Sequence, residues 1–407
     1  MQFIADLHVH SHYSRATSRQ CNLFNLANWA SVKGIQVLAT GDFTHPAWLD
    51  QLKSLLEPAE PGLFVLNSTG EFCDKFNSGF DNYKTRFMLN TEISCIYSKS
   101  GRTRKIHVLV FAPDFESVDR INSKLSKIGN LAADGRPTLG LDVRNLLEIV
   151  LEEAPEGFMV PAHIWTPWFS LFGAKSGFDS IEECFEDLSD HIFALETGLS
   201  AGPGMIRAIS ALDRFALVSN SDCHSPSNLG REANMFDTEL NYYSIRNALK
   251  SQNDKEFIGT VEFYPQEGKY YHDGHRKCDV SLTPEESKKL NNRCPVCNKP
   301  VTAGVLNRVY ELADRSEPLP ADSIPSFTSL IPLKEILSEL LSVGVKTKTV
   351  ERNYSDLINT IGTEFELLMS IPLSQIEEKC LPSFVEAIKR LRTGHVIKQP
   401  GFDGQFG

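Results

Sequence analysis

The chain has 407 residues, enough for roughly two to four domains and a sizeable apolar core. Hydrophobic residues make up 41% and charged residues 23%, which excludes wholesale disorder, and the net charge of −11 excludes an overall basic coat while leaving room for a local basic groove. The start, MQFIADLHVHSHYS, has no basic or apolar leader pattern, and no apolar run reaches the ~18 residues of a membrane helix, so the expectation is a cytoplasmic protein with no membrane partner.

Over residues 1–262, short runs rich in Val, Ile and Phe recur: FIADLHV, VLATGDF, FMLNTEI, IHVLVFA, GFMVPAHI, IFALETG and ALVSNSD. Amphipathic stretches lie between them. LFNLANWASVKG places Leu23, Leu26, Ala27 and Ala30 at helical spacing, with Gly34 as a stop. Such alternation predicts an α/β fold, either a parallel sheet or a barrel. Most runs end in a polar residue: His8 and His10, Asp42, Glu92, His163, Glu196 and Asp222. In these folds the carboxyl ends of strands form the active face.

His8-Val9-His10 puts two imidazoles on one face of a strand, with Asp6 placed to orient a ligand. Asp222-Cys223-His224 repeats the spacing. Capping of loop entries explains any one such residue, but not the whole set. Mixed carboxylates and imidazoles suit Zn, Mn or Fe.

From residue 263 the texture changes. His275-x2-Cys278-x15-Cys294-x2-Cys297 has the spacing of a structural zinc site, with His272 as the other candidate for its histidine. Nine cysteines, otherwise scattered, fit a reducing compartment better than a disulfide framework. SEPLPADSIPS (316–326) reads as a linker. Beyond it, Leu333, Ile336, Leu337, Leu340 and Leu341 share one helical face, and the tail PGFDGQFG is expected to be irregular. The domain expectation is therefore a barrel over 1–262, a zinc-binding module over 263–315 and a helical region over 316–407.

Charge is uneven. Lys84, Arg86, Lys99, Arg102, Arg104 and Lys105 cluster against Glu92 alone, with Tyr83 and Phe87 interleaved. A phosphate-tracking groove would use Arg102, Arg104, Lys105 and Arg276, with Tyr270 and Tyr271 stacking on bases.

D-L-H-V-H-S (Asp6–Ser11), T-G-D (Thr40–Asp42), Glu92, His107, His163 and S-D-C-H-S (Ser221–Ser225) resemble, in order, the motifs of the PHP (polymerase and histidinol phosphatase) superfamily. That resemblance implies a distorted (β/α)7 barrel holding two or three metal ions. Its ligands would be His8, His10, Asp42, Glu92, His107, His163, Asp222 and His224, and catalysis would centre on Asp222, Glu92 and His8. Asp42 stands where many members carry histidine. The added segment GKYYHDGHRKC…CPVCNKPV and the terminal P-G-F-D-G are similar to the endonuclease Q family and to bacterial relatives often labelled helicase-like. This implies Zn2+ in the module and in the barrel, with Mg2+ or Mn2+ supporting activity. The implied reaction is DNA cleavage 5′ of deoxyuridine, hypoxanthine, xanthine or an abasic site. A sliding clamp is an implied partner that no motif in the chain carries. No G-x-x-x-x-G-K-[ST] loop is present, so ATP-driven unwinding is not expected. The alternative is a small-molecule phosphatase on the same barrel, which would not need the ~145 residues beyond it.

Overall fold

The computed structural model describes residues 1–67, 85–315 and 326–407. Tyr83, Lys84 and nearly all of the Pro/Ser segment lie outside the described residues.

Seven strands among the described residues follow one another around a distorted ring: Gln2–Asp6, Val37–Ala39, Arg86–Met88, Arg102–Phe111, Phe158–Pro161, Ala194–Glu196 and Ala216–Val218. The first three pair in parallel. Backbone bonds beyond the regular ladders carry the ring round, with Ala112 N donating to Leu89 O, Ile164 N to Glu196 O and Thr197 N to Val218 O. A parallel bridge between Val9 and Cys223 closes it. The chain is therefore an α/β barrel, as the alternation predicts, but not a purely parallel one. Asn90–Lys99 and Arg102–Phe111 form a ten-residue antiparallel hairpin. Its turn, Ser100-Gly101, has positive φ at both positions, which matches the twist of the strands it joins.

The helices form where polar caps precede apolar periodicity. Asn22, Asp114, Asp142 and Asn241 each accept a first-turn N–H. Leu23–Lys33 stops at Gly34, whose φ of 85° lets its N–H reach Ala30 O. These helices bury Leu26, Ala30, Val118, Ile121, Leu146 and Val150 against the outside of the ring.

The later regions are woven into this body. Ser326–Leu330 adds in parallel to Phe257–Phe263, so the region expected to be helical opens with a strand of the barrel's own sheet. On Leu333–Leu341, Leu333, Ile336 and Leu337 are buried, whereas Leu340 and Leu341 are exposed, so the expected apolar stripe is covered only at its start. The tail is irregular, as expected, but it is held to the earlier chain. Phe402 bridges His272, Gly404 N donates to Lys269 O, and Arg276 N donates to Asp403 Oδ2. No helix among the described residues is long and apolar enough to cross a membrane.

Candidate metal centre at the barrel mouth

His8 and His10 follow the first strand, and Val9 between them turns into the apolar core. The two imidazoles therefore share a side, as the period of two requires. His8 Nε2 lies 3.5 Å from Glu92 Oε2 and 3.5 Å from Asp222 Oδ1. His10 Nε2 lies 3.2 Å and 3.1 Å from the same two atoms. Glu92 turns its other oxygen to a second group, with His107 Nδ1 at 2.7 Å and His163 Nε2 at 3.1 Å. Two clusters of ligand-bearing atoms thus meet at Glu92: His8, His10, Glu92 and Asp222, and Glu92, His107 and His163.

The donor atoms fit cations. His8 Nε2, His10 Nε2 and Asp222 Oδ1 are buried and make no hydrogen bond, though they crowd one another. Buried polar atoms without partners are costly and need an explanation, and a divalent ion satisfies all three together. The far nitrogens are held as metal-bound histidines usually are. His8 Nδ1 meets Glu196 Oε1 at 3.0 Å, and His10 Nδ1 meets Asp42 Oδ1 at 3.1 Å.

Asp42 stands outside both clusters. Its oxygens are taken by His10, the backbone and hydroxyl of Ser11, and Ser14 Oγ, so it orients His10. His224 is also outside them, with Nδ1 donating to Asp222 O at 2.9 Å. Asp6 is set differently from expectation: it accepts from Ser221 N and Gly230 N, and so anchors the loop that bears Asp222.

Three site residues have positive φ: Asp42 at 50°, His163 at 31° and Asp222 at 46°. Such strain in non-glycine residues collects at functional sites. Gly41 permits the turn into Asp42, since a Cβ there would lie 2.5 Å from Val9 O.

Electrostatics follow from crowding. Burial alone would depress His8 and His10, but the carboxylates of Glu196, Asp222, Asp42 and Glu92 outweigh it and hold both well above the usual imidazole range. Burial would raise Glu92, but His107, Arg136 and His8 hold it well below the carboxylate range. Burial takes His107 down to about 4, against the pull of Glu92. Burial also lowers His224, against Asp222.

Two participants were given no role from the sequence. Arg136 Nη1 lies 3.0 Å from Glu92 Oε2 and comes from a loop with no periodic signal. Glu196 holds His8 and also accepts from His163 N and Asn220 Nδ2. It did show the same signal as the other candidates, a polar end to an apolar run, without a motif to give it a role.

The cysteine cluster also assembles. His275, Cys278, Cys294 and Cys297 bring their ligand atoms within 4.8 Å of one another, whereas His272 turns to Ser281 Oγ. Burial raises the Cys294 thiol, but the turn N–H groups of Cys297 and Val296 outweigh this and bring it to about 7.

The expected substrate contacts fare unevenly. Arg104 is buried, donates to Gly177 O and lies over the Phe178 ring at 4.0 Å, so it braces the fold and is closed to a phosphate. Tyr271 is buried against His272, and Phe87 is in the core. Arg102 and Arg276 are exposed, Lys105 lies over Phe169, and Tyr270 is half-buried beside Trp168.

Comparison with known proteins agrees with this geometry. The profile of the MJ0043 C-terminal domain family matches residues 332–395. The uncharacterized protein MJ0043 of Methanocaldococcus jannaschii is 34% identical over 251 residues, covering 60% of this chain, which spans only 31% of that protein. The uncharacterized protein YqxK of Bacillus subtilis is 28% identical over 92% of this chain and 88% of its own length. Among solved structures, the lesion-specific endonuclease PfuEndoQ from Pyrococcus furiosus superposes with a TM-score of 0.85 at 29% identity, covering 100% of this chain and 94% of that one. Endonuclease Q in complex with a 27-mer duplex carrying an abasic lesion at the active site gives a TM-score of 0.85 at 30% identity, over 100% of this chain and 96% of that one. With near-complete coverage in both directions, the chain belongs to the endonuclease Q family, within the PHP fold.

Proposed function

We propose that this protein is a metal-dependent endodeoxyribonuclease that cuts the phosphodiester 5′ of deaminated bases or abasic sites. The observation that carries this reading is the pair of ligand clusters joined through Glu92, with three buried donor atoms left without hydrogen bonds. Support for a DNA substrate comes from the relative bound to a lesion-bearing duplex. His8, His10, Glu92 and Asp222 would hold one ion, and Glu92, His107 and His163 another. Bound cations supply a water acidic enough to attack at neutral pH and neutralise charge on the phosphoryl oxygens. Both groups mix imidazole and carboxylate donors, a set that suits Zn2+ or Mn2+, with Mg2+ or Mn2+ as the ions to be supplied for activity.

The chain's own groups complete the task. Arg136 offsets the charge of Glu92 and, being partly exposed, keeps N–H donors for a phosphate oxygen. His224 spends Nδ1 on Asp222 O, which leaves Nε2 as an acceptor. Burial keeps that ring neutral, so it can take a proton at the rim of the site. The cysteine module would hold a structural zinc through His275, Cys278, Cys294 and Cys297.

The test is incubation with Mg2+ or Mn2+ and end-labelled duplexes carrying one deoxyuridine, hypoxanthine, xanthine or abasic site. A single nick 5′ of the lesion, with binding that weakens steeply with salt, is expected. Hydrolysis of small phosphate esters with no DNA binding would overturn the reading.

A further inference from the structure

Asp222 has a left-handed backbone, with φ of 46°. That conformation is unfavourable for an aspartate and persists only where its surroundings over-determine it. The residue before it is held at both polar groups. Ser221 N donates to Asp6 Oδ1 at 3.1 Å, and Ser221 O accepts from Arg231 Nη2 at 3.4 Å. Ser221 O and the N–H of Asp222 belong to one planar peptide, so fixing that oxygen fixes the direction in which Asp222 sets out. Asp6 makes a second tie, because its Oδ2 accepts from Gly230 N at 2.9 Å. Gly230-Arg231 thus reaches back to Ser221 twice, once directly and once through Asp6. The bond to Ser221 O is the one side-chain hydrogen bond of Arg231 among the described residues, and its Nε is buried without a partner. An arginine kept only for surface charge would not be sunk in this way.

The helical region holds this pair from behind. Gly230 has φ of 68°, and a Cβ there would lie 3.0 Å from the Phe365 ring. Phe365 is buried, and Glu364 before it is pinned. Lys33 Nζ meets Glu364 Oε2 at 2.8 Å, Tyr354 OH donates to the same oxygen at 2.6 Å, and Leu333 N donates to Oε1 at 3.0 Å. The gap that remains, lined by Lys33, Arg231, Pro332, Glu364 and Phe365 among others, is about 10 Å3, room for about one water. Helix Leu333–Leu341 brings a charge as well. Burial raises the Glu335 carboxyl, against the charges of Arg231 and Lys33. Close-packed contacts therefore run without a break from the Glu364 ion pair to the loop of Asp222.

Resting on the metal centre proposed above, we propose that Arg231 is a positioning residue for Asp222, and that Phe365 of the helical region keeps it on station. Arg231 acts through the Ser221 peptide and contributes no ligand atom. Without it Ser221 O is released, and Asp222 can relax to an ordinary backbone conformation that takes Oδ1 away from His8 and His10. The helical region carries none of the clustered ligands, yet on this account it shapes the ion site in the barrel. The loss on removing Arg231 falls on ion affinity more than on the fold.

The test is Mn2+ titration calorimetry on full-length protein, with thermal melting alongside. Arg231→Met keeps the aliphatic stem and removes the donors. It should weaken Mn2+ binding about 10-fold or more, and Arg231→Lys, which keeps a donor and the charge, should recover most of the loss. Phe365→Leu should shift affinity in the same direction by less. Val150→Ala, a core truncation on Val143–Glu153, should lower the melting temperature and leave the Kd for Mn2+ unchanged. Parent-like affinity in Arg231→Met, or an equal loss in Val150→Ala, overturns the proposal. If Arg231→Met fails to fold, Phe365→Leu decides, and unchanged affinity there overturns it. A parent that held neither Mn2+ nor Zn2+ in the barrel would end the metal-centre reading and the positioning role with it. A parent that binds ions as Arg231→Met does would sink the positioning role alone.

Discussion

Glu196 decides where His8 points. Its two oxygens lie 3.0 and 3.1 Å from His8 Nδ1, which leaves Nε2 facing Glu92 and Asp222. Its charge also helps hold the His8 pKa up against the lowering effect of burial. Glu196→Gln keeps the shape and removes the charge, and should cost about 10–100-fold in metal affinity with the fold intact, read by Mn2+ titration calorimetry. Asp222→Asn should lower cleavage at least ~100-fold while DNA affinity stays within a few-fold, because it changes an ion-facing oxygen and not the surface. A normal nicking rate in that variant would count against the metal assignment. The pairing of His8 with His10 was legible, since strand period puts residues two apart on one side. Asp42 and Asp6 were legible as polar and near the site, but not in their roles, because orientation depends on partners such as Ser14 and Gly230 that only the fold brings close. Arg136 had no local signal at all.

Among the elements, the cysteine loop shows what a small core cannot do alone. Its own buried cluster is Val280, Leu282, Cys294 and Val301, too little apolar surface to order the hairpin Asp273–His275 with Val280–Leu282. Metal binding of the order of 10 kcal/mol would supply the difference. Cys294→Ala should therefore release one equivalent of zinc, expose the hairpin to proteolysis and weaken lesion binding, while the barrel clusters keep their ions. Full zinc stoichiometry in the variant would contradict this. The ligand spacing was readable because both pairs are local in sequence. So was the helix Leu23–Lys33, with its periodicity and its glycine stop. Less readable was Ser326–Leu330, a five-residue strand that owes its place to pairing with Phe257–Phe263; the tail is irregular, as expected, and only the residues that hold it, such as Arg276 bonded to Asp403, were out of reach. Long-range pairing leaves no period in a short segment.

At the scale of the whole molecule, Phe257–Phe263 is the seam, with the barrel sheet on one side and Ser326–Leu330 on the other. Two carboxylates are buried there. Glu262 accepts from Ser219 and Thr260, and its second oxygen has no partner. Glu232 is fully buried with neither oxygen bonded. Burial raises both above the ordinary 4.5, and the mutual repulsion of the pair raises Glu232 further. A raised carboxyl binds its proton more tightly in the folded state than in the unfolded chain. Its contribution to stability is therefore complete below the unfolded value and is lost as pH rises through the folded one. Above that range the seam must either carry buried charge or hold protons the solvent no longer supplies. Glu262→Gln keeps an acceptor for Ser219 and Thr260, turns an amide donor toward the unpaired side and removes one titration. The variant should match the parent near pH 4 and gain on it steadily toward pH 8, by about 1–3 kcal/mol for one relieved buried group, measured by urea unfolding across that range. A stability difference that stayed constant with pH would mean the pair does not titrate at the seam.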